Sequence, residues 1–355
     1  AYRLTGCWNL GIGDAAGMFP IDQQSLTYNV DMLADFDLIA TESARKAGSE
    51  ITSLELSDLL PSVKKAGEDG GSLHAHGAKL LGLPEGIPVA PAEGDQPAAL
   101  AGSLIATPGQ VSMSFGTSVV ANSVGDRAFE GIAIPIDHFC APDGRPINMV
   151  WLRNGTTAMN MAVNLFGGDF SKIMPQVLAA EDDCGGLLAL PFMDDEPGLG
   201  VSQGGTAMVL GLNNETATPG NAVKAMLLAT IFNLRLGSKQ LDEQGYPRTE
   251  IILSGGLVKT PALGQLVADV FNTPVTIFEG GDEGTAWGAA LMAKFRFESL
   301  AGRAAEWKQF LETQKTGTPT RFTPRVQSVE TLNGVFERYQ KLVHMHGQLG
   351  SAAIQ

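Results

Sequence analysis

The chain has 355 residues, is 44% hydrophobic and 17% charged, and carries 43 glycines. That composition excludes a disordered or fibrous protein and leaves room for two domains. A formal charge of −14 argues against nucleic acid or an anionic membrane surface as main partner, although backbone N–H groups and Mg²⁺ can still hold phosphate locally. The three cysteines, Cys7, Cys140 and Cys184, are dispersed and form no Cys-x-x-Cys pair. They predict reduced, buried thiols in a cytoplasmic protein. No apolar run approaches the ~20 residues of a membrane helix, and the N-terminus has no basic region followed by an apolar core. It starts mid-pattern without an initiator methionine, so the sequence is expected to begin inside a larger domain.

In chain order, "VDMLADFDLIATES" has helical spacing, and "GSLHAHGAKLLGL" predicts a helix stopped at Gly82. Ile87–Ala92 reads as a short apolar strand, with Asp95 at its end and a helix opened by Pro97. A Pro108-Gly109 turn leads into a β-rich run, Val111–Val120, broken at Gly116-Thr117-Ser118. Asn148–Leu152 predicts a strand, Thr156–Phe166 a helix, and Gly186–Met193 a buried apolar strand. Pro219 sits where a first helical residue belongs and opens a long helix to about Gln244. Then "TEIILSGG" predicts a strand. "TPALGQLVADVFN" follows as a helix with Thr260 as N-cap and Pro261 at the first position, and "TPVTIFEGG" as a second strand. "DEGTAWGAALMAKFRF" closes the run as a helix rich in small residues. Such βαβα order predicts an α/β fold on a mostly parallel sheet. A final amphipathic helix runs from Gln327 to about Gly350.

The chemistry concentrates in three places. Gly255-Gly256 follows a strand and precedes a helix, where a ligand can approach the backbone and negative charge is favoured. "SFGTS" makes a turn whose N–H groups and two hydroxyls can meet phosphate oxygens. Asp95 lies twenty-one residues before Gly116 and is a carboxylate free to act on a nearby hydroxyl. On local sequence alone, Asp95 reads instead as a plain N-cap for the Pro97 helix.

Taken in order, "LTG", "GDAAGMFPID", "GLPEGIPVAPAEGDQPAALAG", "SFGTS", "LPFM", "TAMVLGL", "LSGGLVKTPALGQLVADVFNTPV" and "DEGTAWGAALMA" resemble the FGGY family of carbohydrate kinases over nearly the whole chain. The resemblance implies an actin-like/hexokinase (ribonuclease H-like) ATPase fold, with a mixed sheet flanked by helices. It implies that residues 1–100 are the C-terminal portion of a first, sugar-binding domain and that residues 101–355 form a second, ATP-binding domain. It implies transfer of the γ-phosphoryl group of ATP to a hydroxyl of a small-molecule sugar, with Asp95 accepting the hydroxyl proton.

Gln96 would then touch the substrate, and Asp14 either touches it or caps its loop. Gly116, Thr117 and Ser118 would hold β/γ-phosphate oxygens, Gly255 and Gly256 the adenosine and α-phosphate, and Asn154 and Gly155 the nucleotide or substrate. Mg²⁺ would bridge phosphates and water with no direct protein ligand. A ketopentose such as xylulose or ribulose is the first expectation for the sugar, with glycerol, gluconate and sedoheptulose as alternatives within the family. A homodimer is left open, and a non-catalytic actin-fold ATP-binding regulator is the rival from another class.

Departures from the family pattern are visible too. The family's first phosphate loop and most of its N-terminal sugar contacts are not in the sequence, so activity is expected to need a missing N-terminal portion. The family's Gly-Glu-Arg-x-Pro loop is here "DDEPG" (Asp194–Gly198) and lacks the arginine. His74 and His76 would lie on different faces of their helix and read as solvated. Asp182-Asp183 and Asp194-Asp195 read as solvated turns, and Trp287, Met159 and Met161 as core.

Overall fold

A computed structural model describes residues 1–49, 53, 55–278, 284–303, 306–315 and 317–353, with side chains as far as His346. The Gly-rich turn expected just before the closing helix, residues 279–283, lies outside the described residues.

Two short strands, β1 (Asn9–Gly11) and β2 (Ser62–Lys64), pair in parallel. The main sheet has seven strands: β3 (Gln110–Phe115), β4 (Val119–Val124), β5 (Ile136–Cys140), β6 (Pro146–Leu152), β7 (Glu250–Gly255), β8 (Val275–Ile277) and β9 (Thr320–Phe322). Their spatial order is β9-β8-β7-β3-β4-β6-β5. β7 runs parallel to both β8 and β3, while every other neighbour is antiparallel. The expected mostly parallel sheet is therefore a mixed one. The difference is physical: β3 and β4 are joined by a three-residue turn, and so short a link permits only an antiparallel return.

β3 is buried along nearly its whole length, as a central strand covered on both faces must be. Its cover on one side comes from four helices, α1 (Thr157–Leu165), α2 (Phe170–Ala179), α3 (Pro219–Gly237) and α4 (Leu263–Phe271), which share one hydrophobic cluster with the strands. α3 has Thr218 as N-cap, its Oγ1 accepting from Asn221 N at 3.2 Å, and Pro219 at the first position. It does not run on to Gln244. The chain breaks at Ser238, whose hydroxyl bonds back to Leu234 O, and a separate short helix spans Lys239–Glu243.

Other expected boundaries shift for similar reasons. Ile87–Ala92 is extended but belongs to no strand, because Pro88 and Pro91 have no N–H to donate; its contacts are single bonds such as Val89 N to Gly71 O. α4 starts at Leu263, not at Pro261, because a 3₁₀ turn over Gly256–Lys259 uses up the preceding residues. The strand expected over Gly186–Met193 is limited to Leu188–Leu190. Asp182 sits in ion pairs with Lys224 and Arg325. Trp287 is 45% exposed and so is not core.

Against the far side of the sheet pack two further helices, α5 (Asp95–Gly102) and α6 (Gly284–Leu300). Their axes approach unusually closely. A Cβ at Gly288 would stand 1.8 Å from Ala98 O, and one at Gly102 would stand 1.9 Å from Gly284 O. Only glycine lets these two backbones touch, and α5 is the helix that begins with Asp95. Among the described residues, no helix is long and apolar enough to cross a membrane.

Candidate active site

Asp95 is the first residue of α5, with Gly94 as N-cap. The helix thus opens two residues before Pro97, which fits inside the first turn because that turn's N–H groups need no intrahelical acceptor. Asp95 is exposed and takes no hydrogen bond from the described residues. Across a cavity of about 320 Å³ it faces the β3–β4 turn, and the same cavity is lined by Gln96, Gly116, Thr117, Ser118, Ser254, Gly255 and the start of α6. Sequence positions 95 and 255 therefore meet at one cleft, at the carboxyl ends of the parallel strands β3 and β7, where ligands bind in open α/β sheets.

The wall of the cleft offers the hydroxyls of Ser103, Ser112, Ser114, Thr117, Ser118, Ser254 and Thr285 and, among the described residues, no lysine or arginine. Gln96 accepts from Asn122 Nδ2 through Oε1 at 3.3 Å, which leaves its NH₂ for a ligand. Gly255 sits at φ 78° and ψ −160°, a conformation open essentially to glycine alone. A Cβ there would also meet Phe115 O at 2.8 Å. Gly256 carries the chain on into a neighbouring cavity of about 360 Å³, whose lining includes Thr156, Met159, Asn160, Leu257 and Lys259. Met159, expected as core, is buried and forms one wall of that second cavity.

Gly155 and Asn154 take different parts. Gly155 lies directly beneath the β3–β4 turn, donating to Thr117 O at 2.9 Å, and a Cβ there would be 2.4 Å from Gly116 O. Asn154 does not reach the cleft with its side chain, contrary to its expected contact with nucleotide or substrate. It is buried, its Oδ1 accepting from Asp194 N at 2.9 Å and its Nδ2 donating to Glu196 Oε2 at 3.0 Å.

On the other side of Asp95 lies a group that the sequence did not flag. Glu93 receives two hydrogen bonds from the first turn of the helix Ile12–Met18: Gly13 N at 3.2 Å and Asp14 N at 2.8 Å. Gly11 leaves the space, since a Cβ there would be 2.2 Å from Glu93 Cδ. This clamp brings Asp14 against the chain before α5, where a Cβ on Gly94 would stand 2.5 Å from Asp14 Oδ1. Burial and the nearby Asp95 carboxylate hold the Asp14 carboxyl above the ordinary range. Burial pushes Glu93 up to about 8, against the pull of its two backbone donors. Asp14, expected at the substrate, is thus placed beside Asp95. Only the spacing of Glu93 two residues before Asp95 hinted at a second acid, and "AEGDQ" gave no sign that a distant helix would dock there.

A carboxyl raised in the folded state favours folding below the unfolded value and loses that contribution as pH climbs through the raised one. Glu93 therefore makes the protein progressively less stable from about pH 5 to about pH 8. Glu93→Gln removes the charge but keeps a carbonyl acceptor for only one of the two amides, Gly13 N on Oε1 or Asp14 N on Oε2. Its melting temperature, measured against wild type, should therefore be several degrees more favourable at pH 8.5 than at pH 5. A melting-temperature difference that does not vary with pH would show that Glu93 is not held in this way. Among the described residues, no group of three His, Cys, Asp or Glu side chains is arranged to hold a metal. His74 is instead an N-cap, its Nδ1 accepting from Gly77 N at 3.0 Å. All three cysteines are free thiols.

The mixed sheet flanked by helices has the actin-like, ribonuclease H-like ATPase fold of the FGGY sugar kinases. Two solved structures share it over almost the whole chain. A xylulose kinase of Rhodospirillum rubrum gives a TM-score of 0.75 at 21% identity, covering 98% of this chain and 66% of that one. A Plasmodium falciparum glycerol kinase, solved with ADP, gives 0.74 at 16% identity, covering 96% and 65%. The profile of the FGGY family of carbohydrate kinases, C-terminal domain, matches residues 111–296, more than half of the chain, and the chain belongs to that family. Among curated relatives it is 25% identical to a Haemophilus influenzae xylulose kinase over 348 residues and 27% identical to a Mycolicibacterium smegmatis ribulokinase over 304. The chain spans 65% and 52% of the lengths of these two relatives.

Proposed function

We propose that the protein, in its natural full-length form, is an ATP-dependent carbohydrate kinase that transfers the γ-phosphoryl group to a sugar hydroxyl. The observation that carries this is the placement of Asp95 at the head of α5, across one cavity from the Gly116–Ser118 turn and Gly255. Phosphoryl transfer asks the protein for positioning and charge stabilisation more than for covalent chemistry. Asp95 accepts the proton of the acceptor hydroxyl as its oxygen attacks phosphorus. Gln96 and Asp14 orient the acceptor. The turn at Gly116, with its hydroxyls and N–H groups, takes phosphate oxygens, and the neighbouring cavity at Gly256 takes the nucleoside.

Mg²⁺, when bound with the nucleotide, supplies charge neutralisation. Among the described residues one carboxylate, that of Asp95, lines the cleft, which suits a metal held by phosphates and water. Residues 1–100 are read as part of the sugar-binding domain and residues 101–355 as the ATP-binding domain. A ketopentose is the proposed acceptor, supported by relatives named xylulose kinase and ribulokinase. The test is ADP release by the full-length protein with Mg·ATP and a panel of xylulose, ribulose, glycerol, gluconate and sedoheptulose. Strong stimulation by a ketopentose supports the proposal. Stimulation by glycerol or gluconate alone moves the substrate, and nucleotide binding with no stimulation by any acceptor favours a regulator.

A further inference from the structure

The loop that lacks the family's arginine holds instead a buried acid with no cationic partner among the described residues. Glu196 is 1% exposed, and one oxygen, Oε2, accepts from both Asn154 N and Asn154 Nδ2 at 3.0 Å. Its own backbone is pinned by reciprocal bonds with Val201, Glu196 N to Val201 O at 2.7 Å and Val201 N to Glu196 O at 3.1 Å. From Asn154 the chain passes at once to the two residues beneath the β3–β4 turn. Gly155 N donates to Thr117 O at 2.9 Å, while Thr156 N and Thr156 Oγ1 both donate to Gly116 O at 2.8 Å. Thr230 Oγ1 holds Gly155 O from below at 3.2 Å.

These bonds fix the direction of the turn. In a planar trans peptide the C=O and the following N–H point in opposite directions. Anchoring Gly116 O and Thr117 O downward therefore turns the N–H groups of Thr117 and Ser118 upward, towards the cleft that both residues line. Neither N–H donates to another group among the described residues. We propose that Glu196 is a positioning residue, which through Asn154, Gly155 and Thr156 aims the Thr117 and Ser118 N–H groups at a phosphate in the cleft. The proposal rests on the kinase reading for the identity of the anion, but the aiming itself does not depend on it.

Two variants separate this role from simple packing. Glu196→Gln offers a carbonyl oxygen where Oε2 stands and can still accept both bonds. Glu196→Ala offers none. Measured calorimetrically on the full-length protein, Mg·ADP affinity should fall at least tenfold in Glu196→Ala and stay within about threefold of wild type in Glu196→Gln. Hydrogen exchange gives a readout that needs no nucleotide. The amides of Gly155 and Thr156 should exchange at least tenfold faster in Glu196→Ala, with those of β4 unchanged. If Glu196→Ala does not fold, Asn154→Ala removes the side-chain half of the same relay while the Asn154 N bond to Glu196 Oε2 remains, and it should show the same exchange pattern with a smaller increase.

A folded Glu196→Ala protein with wild-type exchange at Gly155 and Thr156 overturns the proposal, as does an equal loss of nucleotide affinity in both Glu196 variants. If the wild-type protein binds no nucleotide while the exchange pattern appears as expected, the kinase reading fails and the role of Glu196 stands.

Discussion

Asp95→Ala in the full-length protein should lower the rate of phosphoryl transfer by 10²- to 10⁴-fold, roughly the range that a positioned general base contributes. Nucleotide affinity should change less than about threefold, because Asp95 enters the cleft from α5, whereas the proposed phosphate site is the β3–β4 turn and Gly255 on the opposite wall. Stability should not fall. Asp95 is exposed, caps nothing, and lies close to Asp14, whose carboxyl its charge helps to raise. Removing one of two like charges relieves repulsion, so the melting temperature should hold or rise slightly. Asp95→Asn is the stricter variant, since it keeps the shape and a hydrogen-bonding side chain but cannot take up a proton. Rates for both variants within tenfold of wild type would remove Asp95 from the chemistry.

Gly288→Val should be the most damaging single change outside the cleft. The added Cβ would sit 1.8 Å from Ala98 O, 2.7 Å from Ala98 C and 2.8 Å from Gly102 N. None of these is the flexible end of a side chain, so α5 and α6 must separate. Forced separation of packed backbones costs about 3 kcal/mol or more, roughly a 10 °C drop in melting temperature for a domain of this size. Because α5 begins with Asp95, any protein that still folds should also lose activity through displacement of the carboxylate. Gly284→Ala is the control on the same helix, as a Cβ there meets nothing within 4 Å among the described residues. Equal melting temperatures for the two variants would mean that α5 and α6 do not depend on this contact.

How much of this was legible in the sequence varied with how local the cause is. The Gly116 turn could be read because a β-rich run broken by Gly-Thr-Ser has few other solutions, and β3 and β4 end on either side of it. Pro219 marked the start of α3 correctly, since capping is decided within four residues. Pro261 misled for the same reason in reverse: the glycines before it had already committed the chain to a 3₁₀ turn. Asp95 was singled out through its surroundings in the whole pattern, not from "GDQ" itself, which reads equally as a cap.

Glu93 and Glu196 were missed because their partners are distant in sequence. Glu93 meets Asp14 across 79 residues and Glu196 meets Asn154 across 42. Nothing near either residue announces such a contact. Asn154 was picked out for the ligand, yet its side chain serves the loop behind the cleft and only its backbone neighbours reach the turn. Gly288 shows the same limit from the opposite direction. Small residues in the closing helix suggested close packing, but the identity of the helix it touches is a property of the fold.

The central claim is that the cleft joins an acceptor hydroxyl to a nucleotide's terminal phosphate, and the most direct measurement follows that phosphorus atom. Phosphorus NMR of the full-length protein with Mg·ATP and xylulose or ribulose should show the γ resonance replaced by that of a sugar phosphomonoester, with ADP formed in equal amount. A γ-phosphate that appears only as inorganic phosphate, or remains on ATP across the whole panel of sugars and polyols, would contradict the account.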